Sequence, residues 1–133
     1  MKKFDNFILN LKILARAGEQ DRENPFVMSG ILSQFSLQFE LGWKVLKRLS
    51  EYEGMSEGMG SPRGVIKAAY QYLDFMDEDV WLSMLKDRND TAHLYDGASA
   101  RALTDRIIVQ YIPEFQRMQR AIEERYGGEL ADL

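Results

Sequence analysis

The feature that most constrains the fold is a long helical pattern, which begins at Asn24 and runs to about Glu53. Asn24 offers a capping side chain, and the proline that follows it is tolerated in a first helical turn. The apolar residues of this segment are too numerous for a single buried face; they include Ile31, Phe35, Phe39, Trp43, Leu46 and Leu49. Because such a surface must be covered on several sides, we predict that this helix lies at the centre of the protein.

The rest of the chain repeats apolar residues at spacings of three and four, which is typical of amphipathic helices. A first helix has an apolar face formed by Phe4, Phe7, Ile8, Leu11, Leu14 and Ala15. A last helix carries a long stripe formed by Leu103, Ile107, Tyr111, Phe115, Met118 and Ile122. No alternating run of apolar and polar residues predicts a strand, so the sequence indicates an all-α protein.

Start and stop signals divide the second half of the chain. Ser61, which is followed by a proline, predicts the start of a short helix, and Asp77 predicts the N-cap of the next one. Gly97 is expected to end that helix, Pro113 to bend the last helix and Gly127 to end it. We therefore predict an antiparallel up-and-down four-helix bundle with one extra short helix, in a single domain over residues 1–133.

Composition removes several classes of function. The chain has no run of about 20 apolar residues, so we predict no membrane span. It has no cysteine and only one histidine, so we predict neither a metal site nor a cofactor, and the absence of cysteine suits the cytoplasm. The net charge of −4 argues against a broad nucleic-acid surface but leaves room for a small local site.

The segment from Arg88 to Asp96, RNDTAHLYD, contains the single histidine and continues the helical pattern. At helical spacing Arg88 falls in the middle of an apolar stripe formed by Trp81, Met84, Leu85, Ala92 and Tyr95. An unpaired buried charge costs roughly 3–5 kcal/mol, so this arginine must have a partner, or face a cleft or a second subunit. His93 lies about 140° around the helix from Arg88, and Asn89, four residues before it, is placed to orient the imidazole.

Arg88 and His93 offer two complementary kinds of chemistry. A histidine near neutral pKa moves protons, and a guanidinium holds a phosphate through paired donors. Together they provide the minimum for cutting RNA without a metal, provided that two copies face each other across a twofold axis. The alternative, which the residue types alone leave open, is a hydrogen-bonded structural network or a capped helix end.

Two separated blocks of sequence resemble a known family. RNDTAHLY resembles the R-x-x-x-x-H-x-Y signature of HEPN proteins, which are small helical bundles often encoded beside a minimal nucleotidyltransferase. Residues 35–54, FSLQFELGWKVLKRLSEYEG, are similar to the F-E-x-x-x-E-L-x-W-K-x-x-K stretch of the nucleotidyltransferase substrate-binding protein branch. The chain departs from that pattern at Ser36, where an acidic residue is expected, and at Gln34, which replaces a frequent arginine.

The resemblance implies specific roles for residues of the segment RNDTAHLYD. Arg88 and His93 match the catalytic pair of HEPN ribonucleases, with Asn89 as a supporting polar group. Tyr95 matches a tyrosine that a cognate nucleotidyltransferase modifies with adenylate in some toxin–antitoxin pairs. This implies a homodimeric partner of a minimal nucleotidyltransferase, acting as a ribonuclease toxin on RNA. The alternative is a non-catalytic subunit that binds a nucleotide or another substrate for the separate nucleotidyltransferase chain.

Four residues of the block at 35–54 are further candidates for binding or support. Glu40 either accepts a hydrogen bond from Arg88 on the neighbouring helix or forms an ordinary pair with Lys44, four residues later. Trp43 belongs either to the core or to a base-stacking platform. Lys44 and Lys47 either meet a phosphate or the partner protein, or are solvated.

Overall fold

The computed structural model describes residues 1–91 and 96–133, and every regular element in these two ranges is helical. In chain order the elements are α1 (Lys2–Leu14), a 3₁₀ turn (Ala17–Glu19), α2 (Pro25–Tyr52), α3 (Pro62–Tyr70), α4 (Glu78–Asp90), α5 (Gly97–Arg106), a π-helical segment (Ile107–Tyr111), α6 (Ile112–Tyr126) and a 3₁₀ turn (Gly127–Asp132). No helix within the described ranges combines the length and the apolar composition needed to cross a bilayer. The prediction of an all-α protein is confirmed.

Three helices begin where their capping side chains predicted. Asn24, Ser61 and Asp77 each accept a hydrogen bond from a backbone amide in the first turn, at 2.9, 3.1 and 3.3 Å. Prolines occupy the first positions of α2 and α3, where the missing N–H costs no helical hydrogen bond. These side chains therefore fix the starts of α2, α3 and α4.

The prediction that Gly97 ends the helix capped by Asp77 is wrong. Helix α4 ends at Asp90, and Gly97 is instead the first residue of α5. The reason is Asp96, which acts as the N-cap of α5 and accepts hydrogen bonds from the backbone amide of Ser99 at 2.7 Å and from its hydroxyl at 3.0 Å. A glycine that follows a capping aspartate belongs to the next helix rather than to the preceding one.

The predicted last helix is interrupted rather than simply bent. A π-helical segment separates α5 from α6 and ends two residues before Pro113. Proline has no N–H to donate, and its ring clashes with the carbonyl of the residue four positions earlier, here Val109. A single wider turn relieves this conflict while the chain continues in the same helical direction. As predicted, α6 stops before Gly127.

The predicted central position of α2 is confirmed, because this helix contacts α1, α3, α4 and α5. An aromatic group fills the space beside it. Phe115 meets Phe7 and Trp81 edge to face, with ring centroids 5.9 and 5.7 Å apart, and Phe35 stacks on Tyr111 at 5.3 Å. The finer arrangement, an antiparallel four-helix bundle with one extra short helix, stays a prediction.

Candidate functional site

Arg88 in the last turn of α4 is paired with Glu40 on α2. Its Nη1 donates a hydrogen bond to Glu40 Oε2 at 2.9 Å, which links two helices that are far apart in sequence. The side chains of Arg88 and Glu40 are 27% and 34% exposed, so the pair lies between the core and the surface. Arg88 was predicted to need a partner because burying an unpaired charge is costly, and Glu40 is a charged partner of this kind.

Glu40 also holds two neighbours on its own helix. The indole N–H of Trp43 donates to Oε2 at 3.0 Å, and Lys44 Nζ lies 3.5 Å from Oε1. The two interpretations of Glu40 are thus both observed, because one carboxylate accepts from Arg88 and pairs with Lys44. Trp43 is half-buried and packs against the core, so its indole N–H holds this carboxylate from a fixed position.

Phe39 provides a surface for the guanidinium of Arg88. The guanidinium carbon lies 5.3 Å from the centroid of the Phe39 ring, which is fully buried. This distance is within the range of a cation–π contact. In the described part of the chain, Arg88 Nε is buried and has no hydrogen-bond partner. The guanidinium is therefore held by one carboxylate and one ring, contacts that use only one of its five N–H donors among the described residues.

These residues form a small region of positive charge. Glu40, Lys44 and Lys47 recur at a spacing that places them on one side of α2, and Arg88 reaches that side from α4. Three cationic groups and one carboxylate give a formal charge of +2, whereas the whole chain carries −4. We call this group the Glu40 cluster; it consists of Phe39, Glu40, Trp43, Lys44, Lys47 and Arg88. Its charge favours an anionic ligand.

Asp87, next to Arg88, anchors the same end of α4 to the following helices. Its two carboxylate oxygens accept hydrogen bonds from Arg106 Nε and Nη2, both at 3.1 Å, and the hydroxyl of Tyr111 donates to it as well. Burial and the contact with Asp87 raise the pKa of Tyr111, so it remains a neutral donor. This network was not predicted from the sequence, because no local spacing connects Asp87 with residues about twenty positions later.

The amino-acid sequence matches the model of one protein family. A family model described as "Nucleotidyltransferase substrate binding protein like" matches residues 2–124. The chain belongs to this family. No curated protein matches the chain. The family name pairs its members with a nucleotidyltransferase, so a partner relationship with such an enzyme is the function that the comparison supports.

Other residues singled out in this family member remain untested. His93 and Tyr95 lie outside the described residues, so their predicted roles stay predictions. Asn89 is exposed on α4. The angle of about 140° between Arg88 and His93 assumed a helix that continues past Asp90, the residue at which α4 ends. Of the candidates, the structure brings together Arg88, Glu40, Trp43 and Lys44.

Proposed function

We propose that this protein is the helical partner subunit of a separate nucleotidyltransferase chain, and that its Glu40 cluster binds the phosphate groups of the nucleotide or other anionic substrate. The observation that carries this proposal is Arg88, whose guanidinium is held by Glu40 and Phe39 while the side chain as a whole stays 27% exposed. The sequence has no Walker-type phosphate loop and no aspartates spaced for two-metal chemistry. The transfer reaction is therefore assigned to the partner chain.

The pairing of Arg88 prepares it for phosphate. A guanidinium already fixed by one carboxylate and one aromatic ring loses little conformational freedom when an anion arrives. Lys44 and Lys47 add cationic charge on the same side of α2, which draws phosphate towards the cluster. A substrate phosphate therefore competes for the Arg88 guanidinium with the half-exposed carboxylate of Glu40.

Titration calorimetry with the four ribonucleoside triphosphates tests the phosphate role. We expect the wild-type protein to bind at least one of them and Arg88→Ala to weaken that binding by about tenfold or more, the usual size of a charge-assisted hydrogen bond. Lys86→Ala is the matched control, since Lys86 is exposed on the same helix two residues earlier. Equal affinity of Arg88→Ala and Lys86→Ala would reject the role of Arg88.

Co-expression tests the partnership itself. A minimal nucleotidyltransferase encoded in the adjacent reading frame is expected to copurify with this chain in a stable complex. Failure of a tagged chain to retain that protein, while both are soluble and folded, would reject the pairing.

A second candidate function is a metal-independent ribonuclease that acts as the toxin half of a toxin–antitoxin pair. The observation that favours it is the order Arg88-Asn89-x-x-x-His93, which matches the catalytic pair of HEPN ribonucleases. In this function a homodimer brings two arginines and two histidines to one cleft, where histidine moves protons and arginine stabilises phosphate charge. Both candidate functions act on nucleotides or RNA of the cytoplasm.

RNA cleavage in the presence of a chelator distinguishes the two functions. The ribonuclease predicts that His93→Ala lowers the cleavage rate by about a hundredfold or more, as expected for the loss of a general acid or base. The non-catalytic function predicts no cleavage by any variant. Sedimentation analysis measures the predicted homodimer in the same samples.

Modification of Tyr95 by the partner is part of the toxin proposal. An adenylate on this tyrosine adds negative charge and bulk beside an RNA-binding cleft, so it is expected to repel RNA phosphate. Mass spectrometry after incubation with the partner and ATP should find adenylate on the wild-type chain and none on Tyr95→Phe. Equal labelling of both proteins would place the modification elsewhere.

A further inference from the structure

A recess lies between the first half of α2 and the start of α5. Its volume is about 370 Å³, within the range of small-ligand pockets. The apolar side chains of Met28 and Leu32 are half-buried in its wall, and the hydroxyl-bearing residues Ser29 and Ser33 are exposed beside them. We call this recess the α2–α5 pocket. Its mixed lining suits a flat, uncharged group with polar edges.

Two connections join the α2–α5 pocket to the Glu40 cluster. Thr91 lines the pocket and donates a hydrogen bond from its hydroxyl to the backbone carbonyl of Arg88 at 2.8 Å. On α2, Ser29, Ser33 and Glu40 recur on one face, and the seven residues from Ser33 to Glu40 span about 10 Å along the axis. An extended nucleoside triphosphate is long enough to span this axial distance.

The two places differ in charge. The pocket is lined by Asp96, whose pKa is lowered by the hydrogen bonds it accepts from Ser99, so it is an anion at neutral pH. The cationic residues Lys44 and Arg88 are at the other place. Phosphate is therefore attracted to the Glu40 cluster rather than to the carboxylate of Asp96, whereas ribose hydroxyls and base amines can donate to that carboxylate.

We infer that the α2–α5 pocket is the nucleoside subsite of a composite nucleotide site whose phosphate subsite is the Glu40 cluster. This inference rests on the proposed phosphate role of that cluster. Leu32 and Met28 contact the face of the base, and Ser29, Ser33 and Asp96 bind polar groups at its edge or on the ribose. The substrate class is accordingly a nucleoside di- or triphosphate rather than a bare polyphosphate or a free anion.

A comparison of nucleotides with inorganic tripolyphosphate tests this subsite, because tripolyphosphate has the charge of a nucleotide but no nucleoside. The test variant is Ser33→Leu, which fills the pocket from an exposed helical position and replaces serine with a better helix former. Ser83→Leu, at an exposed position of α4, is the matched control. Circular dichroism and thermal melting establish that each variant is folded.

We expect Ser33→Leu to weaken binding of the preferred ribonucleoside triphosphate by about tenfold, the effect of losing contacts to one base, and to leave tripolyphosphate binding unchanged. Ser83→Leu should change neither. Equal effects of Ser33→Leu on both ligands, or no effect on the nucleotide, would overturn the subsite while leaving the phosphate role intact. If the wild-type chain binds neither ligand, the phosphate role fails as well, and the subsite falls with it.

Discussion

Two glutamates of this protein each accept hydrogen bonds from a tryptophan indole and from an arginine, but they lie in different surroundings. The side chain of Glu40 is 34% exposed, whereas that of Glu114 is only 3% exposed. Their arginines show the opposite order, since Arg88 is 27% exposed and Arg117 is 50% exposed. The same three residue types thus place either the carboxylate or the guanidinium nearer the interior.

The Glu114 group holds helices together. The carboxylate accepts from Trp81 Nε1 at 3.3 Å, from the backbone N–H of Asp77 at 3.4 Å and from Arg117 Nη1 at 3.0 Å. Arg117 Nη2 also donates to the carbonyl of Phe75 at 2.8 Å. These contacts tie α6 to the start of α4 and to the segment before it. Both terminal nitrogens of Arg117 therefore donate to acceptors of the protein itself.

The Glu40 cluster is less closed. Its carboxylate is half-exposed and is shared by Arg88 and Lys44, and screening by water makes such ion pairs worth little to stability. A Glu–Trp–Arg group therefore stabilises the fold where the carboxylate is buried. Where the carboxylate is open and cations outnumber it, the group is better suited to bind an anion.

The largest expected effect on stability is that of Glu114→Ala. This change leaves the indole N–H of buried Trp81 without its acceptor and opens a small cavity, so we expect the free energy of unfolding to fall by about 3 kcal/mol. Glu123→Ala, at an exposed position of the same helix, should change it by less than about 0.5 kcal/mol. Urea denaturation measures both. Equal midpoints for the two variants would contradict the structural role of Glu114.

Titration of Glu114 is expected to change stability by less than the Glu114→Ala substitution does, and in a definite direction with pH. Burial raises the pKa of Glu114 above its ordinary value of 4.5, against the opposing influence of Arg117. Between 4.5 and the raised pKa the folded protein binds more protons than the unfolded chain, so stability falls as pH rises through this window. The advantage of the wild type over Glu114→Gln should therefore shrink from pH 4.5 upwards in urea titrations. An advantage that grows with pH would mean that the ion pair with Arg117 dominates.

The smallest expected effect on stability is that of Glu40→Gln. The amide keeps the size of the side chain and an acceptor for Trp43, and only half-exposed ion pairs are weakened. We expect the free energy of unfolding to change by about 1 kcal/mol or less. A loss as large as that of Glu114→Ala would erase the distinction between the two groups.

The sequence predicted those parts of the fold that depend on neighbours within a few residues. The caps Asn24, Ser61 and Asp77 act within one helical turn, so their residue types sufficed to place the starts of three helices. The same local rule, applied to Gly97 without considering Asp96, gave the wrong helix end. A glycine between two helices can end the first helix or begin the second. Here the capping residue Asp96, directly before Gly97, makes the glycine the start of the second helix.

The candidate site was predictable only in part. Glu40 was an expected partner of Arg88, but helical spacing left it equally free to pair with Lys44, because contacts between distant helices depend on packing. The ring of Phe39 beneath the guanidinium was not anticipated, although its place directly before Glu40 on the buried stripe of α2 was a signal. The role of His93 remains a prediction from residue pattern alone.

The difference between the Glu40 cluster and the Glu114 group is tested most directly by two variants, Arg88→Ala and Arg117→Ala. Both the free energy of unfolding and the nucleotide affinity are measured for each. For Arg88→Ala we predict about tenfold weaker nucleotide binding and a loss of about 1 kcal/mol or less in the free energy of unfolding. For Arg117→Ala we predict unchanged nucleotide affinity and a loss of about 2 kcal/mol in stability. If Arg88→Ala lowers stability as much as Arg117→Ala and binds nucleotide as tightly as the wild type, the Glu40 cluster only stabilises the fold. That result would contradict its proposed role in phosphate binding.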